Sequence, residues 1–493
     1  MQDDTTEARE QIATMDRVYG SALLTIVAAQ GNNANSGPRG VQRNEFCTQN
    51  PSLLREIIQN SAEIKDGAHI IAPFDSTQHL SWTTWNSRAW TFQEKLMSKR
   101  LLVFAGDETV WYCRRMTCRE DMRTEDSGCV TEPLESLSLK SQYFGIDIDK
   151  NWVDGSLEVD RHGRTRVVRS GTFAAYEKAI ESYTSRQSTY KSDVIRALHG
   201  LLHVFQLSFK SEFIAGLPNC ILDVALLWRP TQRLKRCEGF PSWSWAGWEG
   251  QVTYNKPMKI ERDDAGRLKS AKKAEFGEEG IQSSLRWHIY SESCSQLHRV
   301  NGHGWGIPLL GDLPLEWEAS PYFASHQNGH TKLNQPLNLS DLTSSQLRYF
   351  SKSEVPHLVF VTSCVDTFQL GDSIRQRSDL ERLNSNVPST LTGHRALRFS
   401  ITDSEMQWIG SVLLDGEGPE WIYRGQHAFI LISEAQYFGL DQEKLDVGEF
   451  PNYSIMLVEH NSETGVSTRL GLGRVKKTAW MMANPVLKTI VLG

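Results

Sequence analysis

The sequence predicts an α+β protein: a partial α/β layer at the N-terminal end, then helices, then a β-rich C-terminal half. Three observations carry that expectation. Helix-period and strand-like runs alternate through residues 1–118, as in a mixed layer of helices on a sheet. Between Phe173 and Phe205 apolar residues recur at three- and four-residue steps, the period of buried helix faces. Beyond Pro241 short apolar runs alternate with turn residues, the spacing of antiparallel strands.

Taken in order, Ala8, Ile12, Met15 and Tyr19 line one face of an amphipathic helix over Glu7 to Tyr19. Leu23 to Ala29 is almost wholly apolar, includes β-branched residues and ends at Gly31-Asn32-Asn33, so it reads as a buried strand and turn. An apolar run from Ala68 to Phe74, a helix from Trp82 to Met97, and strands at Leu101 to Ala105 and Thr109 to Cys113 complete a first unit, residues 1–118. Residues 119–171 carry mixed charge and read as a connecting region, with a hairpin around Gly163. Residues 172–250 read as a helical segment with a Trp-rich strand. Its helices run from Phe173 to Gln187 and along the stripe Val194, Ala197, Leu198, Leu201, Leu202 and Phe205, capped by Ser192 or Asp193. In the strand, Ser and Trp alternate from Ser242 to Trp248, which places Trp243 and Trp245 on one face as packing residues. Residues 251–350 read as a loop-rich insertion without clear elements. Residues 351–493 form a β-rich region with runs at Leu358 to Thr362, Trp408 to Leu414, Ala428 to Ser433 and Ser454 to Glu459.

At 493 residues the chain is long enough for about three folding units. Hydrophobic residues at 39% and charged residues at 23% exclude wholesale disorder. Lys and Arg number 53 against 59 Asp and Glu, a net charge of −6, so no basic field points to nucleic acid or an anionic membrane as partner. Eight Cys without a CxxC pair imply reduced thiols rather than a disulfide scaffold. The N-terminus has no secretory h-region, and no apolar run reaches the ~20 residues of a membrane helix, so a location in the cytosol or nucleus is expected. The N-x-S sequons at Asn338 and Asn452 then read as chance matches.

The densest motif is Trp85-Asn86-Ser87-Arg88-Ala89-Trp90-Thr91-Phe92-Gln93-Glu94-Lys95-Leu96. On one helix, Trp82, Trp85, Ala89, Phe92 and Leu96 share a face while Trp90 and Met97 lie on another, so the helix is buried on two sides. Glu94 is then a carboxylate among rings. It either meets an Arg from another element in a structural ion pair, or it is held ready for chemistry. His199 and His203 stand four apart, but both fall opposite the apolar stripe and no glutamate lies between them as in a zinc hydrolase. Cys113, Cys118 and Cys129 lack metal-ligand spacing, so no metal is expected. Gly471-Leu472-Gly473 lies in an apparent strand and is not a dinucleotide loop, and no nucleophile elbow accompanies Gly302-His303-Gly304-Trp305-Gly306.

Several stretches together resemble a known family. These are Met15 to Ala22 with Leu24 to Ala29, Gly37 to Val41, and Arg88-Ala89-Trp90-Thr91-Phe92-Gln93-Glu94 with Leu96, Ser98, Arg100, Phe104, Trp111 and Cys113. They resemble the later blocks of the fungal heterokaryon incompatibility (HET) domain. Asp193 to Gly200, Leu226-Leu227-Trp228 and Pro241 to Ala246 are similar to the segment that commonly follows it. The resemblance implies a family motif at Arg88, Trp90, Gln93, Glu94, Arg100, Trp111 and Cys113. It also implies a sheet like that of Toll/interleukin receptor domains.

The family's opening blocks have no counterpart, because Gln2-Asp3-Asp4 resembles the tail of the second block. Residues 1–118 therefore read as the C-terminal part of the domain, from a misassigned start or a marginal fragment, with strand Leu23 to Ala29 left without neighbours. Three functions follow from the resemblance. The first is cytoplasmic signalling in non-self recognition that triggers programmed cell death, with protein partners or self-association and no cofactor. The second is cleavage of NAD or a related nucleotide as substrate, with Glu94 as the catalytic carboxylate stabilising a ribosyl cation. The third is an inactive truncated product.

Overall fold

A computed structural model describes residues 14–29, 61–65, 68–71, 80, 83–105, 108–113, 117–119, 157–159, 165–167, 171–209, 211–254, 258–262, 268–273, 281–283, 285–291, 296–300, 337–353, 355–373, 396–417, 427–435 and 452–493. The chain is α+β and divides into two compact units. Unit 1 is Met1–Trp152 with Ser185–Val204, and unit 2 is Val153–Thr184 with Phe205–Gly493.

Unit 1 contains helix α1 (Met15–Ser21), strand β1 (Thr25–Ala28), the hairpin β2 (Ser61–Lys65) and β3 (Ala68–Ile71), helices α2 (Thr84–Ser87) and α3 (Ala89–Met97), and strands β4 (Arg100–Ala105), β5 (Glu108–Cys113) and β6 (Thr117–Arg119). The expected helix over Glu7 to Tyr19 is described only from Thr14 onward. Four strands form one sheet in the order β1-β4-β5-β6. β1 runs parallel to β4, with Thr25 opposite Leu101 and Val27 opposite Val103, while β4, β5 and β6 are antiparallel. The expectation that β1 would stand without neighbours is therefore corrected. Its apolar surface is nonetheless partly open, with Leu23 at 77% and Ile26 at 65% exposure.

Alternation sorts this sheet into two faces. Val27, Leu101, Val103, Ala105, Val110 and Tyr112 bury one of them in a core with Ala29 and Leu80, against which Trp85 packs. On the other face Ile26, Leu102, Trp111 and Cys118 stand in one cross-strand row, with Arg100 opposite Cys113 beside it.

The single helix expected from Trp82 to Met97 is broken at Arg88, whose backbone is extended (φ −83°, ψ 139°). Thr83 caps α2 by accepting from the Asn86 amide at 3.2 Å. At the break the Ala89 amide donates to Gln187 O at 2.8 Å instead of continuing the helix ladder, and the Gln187 amide donates to Ser87 O at 2.7 Å. The strap Ser185–Val204 that supplies Gln187 contains two 3-10 turns, Lys191–Asp193 and Arg196–Leu198. The expected cap at Ser192 or Asp193 is corrected, because α5 (His199–Phe209) begins after those turns. Asp193 instead pairs with Arg196 at 3.6 Å.

In unit 2 the hairpin expected around Gly163 forms, as β7 (Leu157–Val159) and β8 (Thr165–Val167) with Val159 opposite Thr165. α4 (Gly171–Thr184) follows. The Ser/Trp alternation does not make a strand: Ser242 to Ser244 is a turn, and Trp245–Gly247 is a 3-10 helix. Trp243 and Trp245 are nonetheless fully buried. Trp245 Nε1 donates to Tyr176 Oη at 3.1 Å, and Trp228 Nε1 donates to Trp243 O at 2.9 Å. The two tryptophans thus pack through different backbone directions, which a period of two could not show.

Within 251–350 the described residues include the hairpins Met258–Arg262 with Leu268–Lys273 and His288–Ser291 with Gln296–Arg299, a 3-10 turn at Leu339–Asp341 and a helix at Ser344–Phe350. Gly302 to Gly306 lies outside the described residues.

The expected C-terminal strands all form, at Leu358–Val365, Trp408–Leu414, Ala428–Ala435 and Asn452–His460, and are joined by Ser467–Lys476 and Val486–Leu492. Five of them close on themselves. Leu358–Val365 pairs Val486–Leu492, which touches Ser467–Lys476, which pairs Asn452–His460, which pairs Ala428–Ala435, which returns to Leu358–Val365 through Cys364 opposite Ile430. Further strands pair outside the ring, and the sheet ends at Gln296–Arg299 and Leu157–Val159. Beside the ring, Phe399, Ile401, Val412, Phe429, Ile455, Leu457 and Trp480 fill one apolar cluster.

Strands Trp408–Leu414 and Ser467–Lys476 approach closely at glycines. A Cβ on Gly410 would lie 2.1 Å from Arg474 O. Gly410→Ala is therefore expected to destabilise the protein by about 1–3 kcal/mol, whereas Gly20→Ala, in α1 with nothing within 4 Å of the new Cβ, is expected to be neutral or stabilising. Urea midpoints of the two variants check both.

The ion pair between Arg469 and Asp415 is wholly buried. Arg469 Nε donates to Asp415 Oδ2 at 2.8 Å and its Nη2 to Oδ1 at 3.1 Å. Nη1 and Nη2 also reach the carbonyls of Leu226 (2.7 Å) and Trp228 (2.8 Å), and the guanidinium lies 3.6 Å from the Trp228 ring centroid. The Arg469 amide donates to Ser242 Oγ at 2.9 Å. Two stretches singled out in the sequence, Leu226-Leu227-Trp228 and Pro241 to Ala246, are thus tied to the C-terminal strands by one arginine. Among the described residues no helix is long and apolar enough to cross a membrane.

Candidate functional site

The sequence-derived site residues fall on two surfaces of unit 1. Arg88, Trp90, Gln93 and Glu94 lie at the helix break and along α3, while Arg100, Trp111 and Cys113 lie on the sheet face opposite the core. α3 forms because Ala89, Phe92, Leu96 and Met97 recur at helical spacing and are buried. It stops at Ser98, whose hydroxyl donates back to Glu94 O at 2.7 Å and lies 2.7 Å from Thr25 Oγ1. That pair ties the end of α3 to β1.

Glu94 is half-buried, and its partners are not an arginine. Trp85 Nε1 donates to Oε2 at 3.3 Å, and the Tyr19 hydroxyl of α1 bonds to the same carboxylate. Burial first, and the neighbouring Glu94 charge second, push the Tyr19 hydroxyl up to about 12, so it remains protonated and donates at neutral pH. Among the described residues no cation pairs with Glu94, which corrects the expected ion pair with an arginine. The helix break makes this geometry, because it lets Trp85 turn its indole back over α3.

Gln93 is buried at 1% exposure, with Oε1 accepting from the Gly200 amide at 3.2 Å. Thr91, also buried, donates to Arg88 O at 2.9 Å and to Trp85 O, capping the break from within. Arg88 is exposed, and its contribution is through its backbone. Trp90 is half-buried. Arg100 Nη1 donates to Leu23 O at 3.3 Å, and Trp111 and Cys113 are half-buried, the latter a thiol.

Sequence reasoning missed Arg186 and Gln187. Arg186 Nη2 donates to Asn86 Oδ1 at 3.0 Å, its Nη1 reaches Arg88 O at 3.3 Å and Thr91 Oγ1 at 3.5 Å, and its guanidinium lies 4.7 Å from the Phe92 ring centroid. Only the extended residue at the break, which no local pattern signals, gives Gln187 its place. His199 is exposed and His203 half-buried, and among the described residues no three His, Cys, Asp or Glu gather as metal ligands.

The arrangement defines a module in which a helix interrupted at one residue is clamped by a distant strap and rests beside a short, partly parallel sheet. Residues 1–94 match the family model described as Heterokaryon incompatibility protein (HET), a span that takes in Arg88, Trp90, Gln93 and Glu94 and ends before Arg100. The matched segment is similar to that family's domain over those residues. Searches of curated proteins and of solved structures gave no match.

Proposed function

We propose that this chain is a fungal heterokaryon incompatibility protein that acts in non-self recognition and triggers programmed cell death. Residues 1–118 are its signalling module, and the C-terminal half recognises or restrains. The observation that carries this reading is the use made of the matched motif. Gln93, Thr91 and the Arg88 backbone hold the strap, and Glu94 is bonded to Tyr19 and Trp85 of its own unit. A motif spent on internal contacts suits a module that changes its associations. The parallel β1–β4 pair supports the Toll/interleukin receptor-like layer that the resemblance implies. Expression in a hypha is expected to cause death that depends on Arg88 to Glu94, without loss of cellular NAD.

The second reading, cleavage of NAD, draws on the half-exposure of the Glu94 carboxylate beside Trp85. Purified protein distinguishes the two. Under the signalling reading Glu94→Gln costs about 1 kcal/mol through weakened hydrogen bonds, and wild type leaves NAD intact. Turnover by wild type that vanishes in Glu94→Gln at an unchanged melting temperature establishes the hydrolase instead.

A further inference from the structure

The strap Ser185–Val204 belongs to unit 1, yet the chain on both sides of it, Val153–Thr184 and Phe205–Gly493, belongs to unit 2. Its contacts are those of a bound peptide. Gln187 enters the helix break as one extended residue, donating to Ser87 O and accepting from the Ala89 amide, in an isolated parallel bridge to Arg88. These are two of the backbone groups that interrupting a helix leaves without an intrahelical partner. Arg186 supplies a fork to Asn86, Arg88 O and Thr91 and lies on the Phe92 ring. Further along, Ala197 and Leu198 are fully buried in the turn that packs on α3, and the Gly200 amide reaches the buried Gln93.

We infer that Ser185–Val204 is a releasable intramolecular ligand of the matched segment, docking an extended Arg-Gln dipeptide into the break between α2 and α3 and an apolar turn onto α3. The two halves differ in kind. Residues 197, 198, 200, 201 and 202 are buried, whereas Gln187, Thr189, Tyr190 and Ser192 are exposed, so the Arg-Gln half is held by polar contacts at the surface and opens first. That the strap restrains signalling rests on the reading under Proposed function, but the docking does not.

Amide hydrogen exchange on the full chain tests the docking without any assay of cell death. The amides of Ala89 and Gln187 are expected to exchange together and at least tenfold faster than those of β4 at Leu101 to Val103, which report unfolding of the sheet. Arg186→Ala is expected to speed Ala89 and Gln187 by a further tenfold or more and to leave β4 unchanged. If Arg186→Ala loosens β4 as well, Gln187→Pro decides, since it removes the amide that donates to Ser87 O without touching the Arg186 contacts to Phe92 and Asn86 by truncation, and should reproduce the selective acceleration at Ala89. Exchange of Ala89 and Gln187 in step with β4 in wild type, or indifference of the Ala89 amide to both substitutions, overturns the inference. A docking confirmed by exchange in a protein that causes no hyphal death leaves the strap in place and refutes the signalling reading alone.

Discussion

Arg469→Met is expected to lower the unfolding free energy by about 3–5 kcal/mol, the cost of breaking a buried ion pair by removing one partner. The magnitude follows from what is stranded. Asp415 has 0% exposure and loses both bonds to its carboxylate, and the carbonyls of Leu226 and Trp228 lose a charged donor. Burial raises the Asp415 carboxyl above its ordinary value, opposed by the Arg469 charge. With the arginine gone, the carboxyl rises further and takes up a proton rather than remain a lone buried anion. The double variant Asp415→Leu with Arg469→Met is expected to recover most of the loss, because two apolar groups replace both charges. Urea denaturation of the two variants and the wild type checks this. Equal losses in the single and double variants would assign the cost to packing on Trp228 rather than to charge.

Stability is also expected to fall by about 3 kcal/mol as pH drops from 6.5 to 4 through His357 alone, at about 1.36 kcal/mol for each pH unit between its unfolded and folded values. His357 lies against Phe350, at 4.9 Å between ring centroids, and Tyr349, at 5.4 Å, and burial lowers it from 6.5 to about 4. The unfolded chain takes up a proton as pH drops through 6.5, while the folded one does not until about 4, so protonation favours unfolding throughout that window. The contribution is complete above pH 6.5 and gone below about 4. Burial lowers His288 as well, so it acts in the same direction. His357→Phe is expected to flatten the acid limb of the melting curve, and an unchanged slope would remove His357 as its source.

Strands β1, β4 and β5 and the C-terminal strands are legible in the sequence because each buries alternate or continuous apolar residues against its neighbours. The break at Arg88 is not. Trp85 to Met97 keeps helical spacing throughout, and the interruption exists only because Gln187, nearly a hundred residues later in the chain, takes the Ala89 amide. For the same reason Glu94 could be recognised as a carboxylate among rings, but its partners could not: Tyr19 comes from another helix, and Trp85 reaches it by way of the break. Arg469 offered a faint signal, an arginine between Ser467 and Gly471 on the inward parity of an apolar strand. Trp243 and Trp245 were readable as packing residues from their size, but not the turn that holds them, since Ser242 and Ser244 spend their hydroxyls on Gly493 O and Ala215 O.

The closed ring of strands in unit 2 has a consequence for how the protein is made. Its first member, Leu358–Val365, needs Val486–Leu492 as a neighbour along seven residue pairs. As the chain leaves the ribosome, that first strand can pair at one end with His288–Ser291, already made, but it waits for more than a hundred further residues before its longest partner emerges. The yield of native protein is therefore expected to respond to translation speed and chaperone occupancy over this interval.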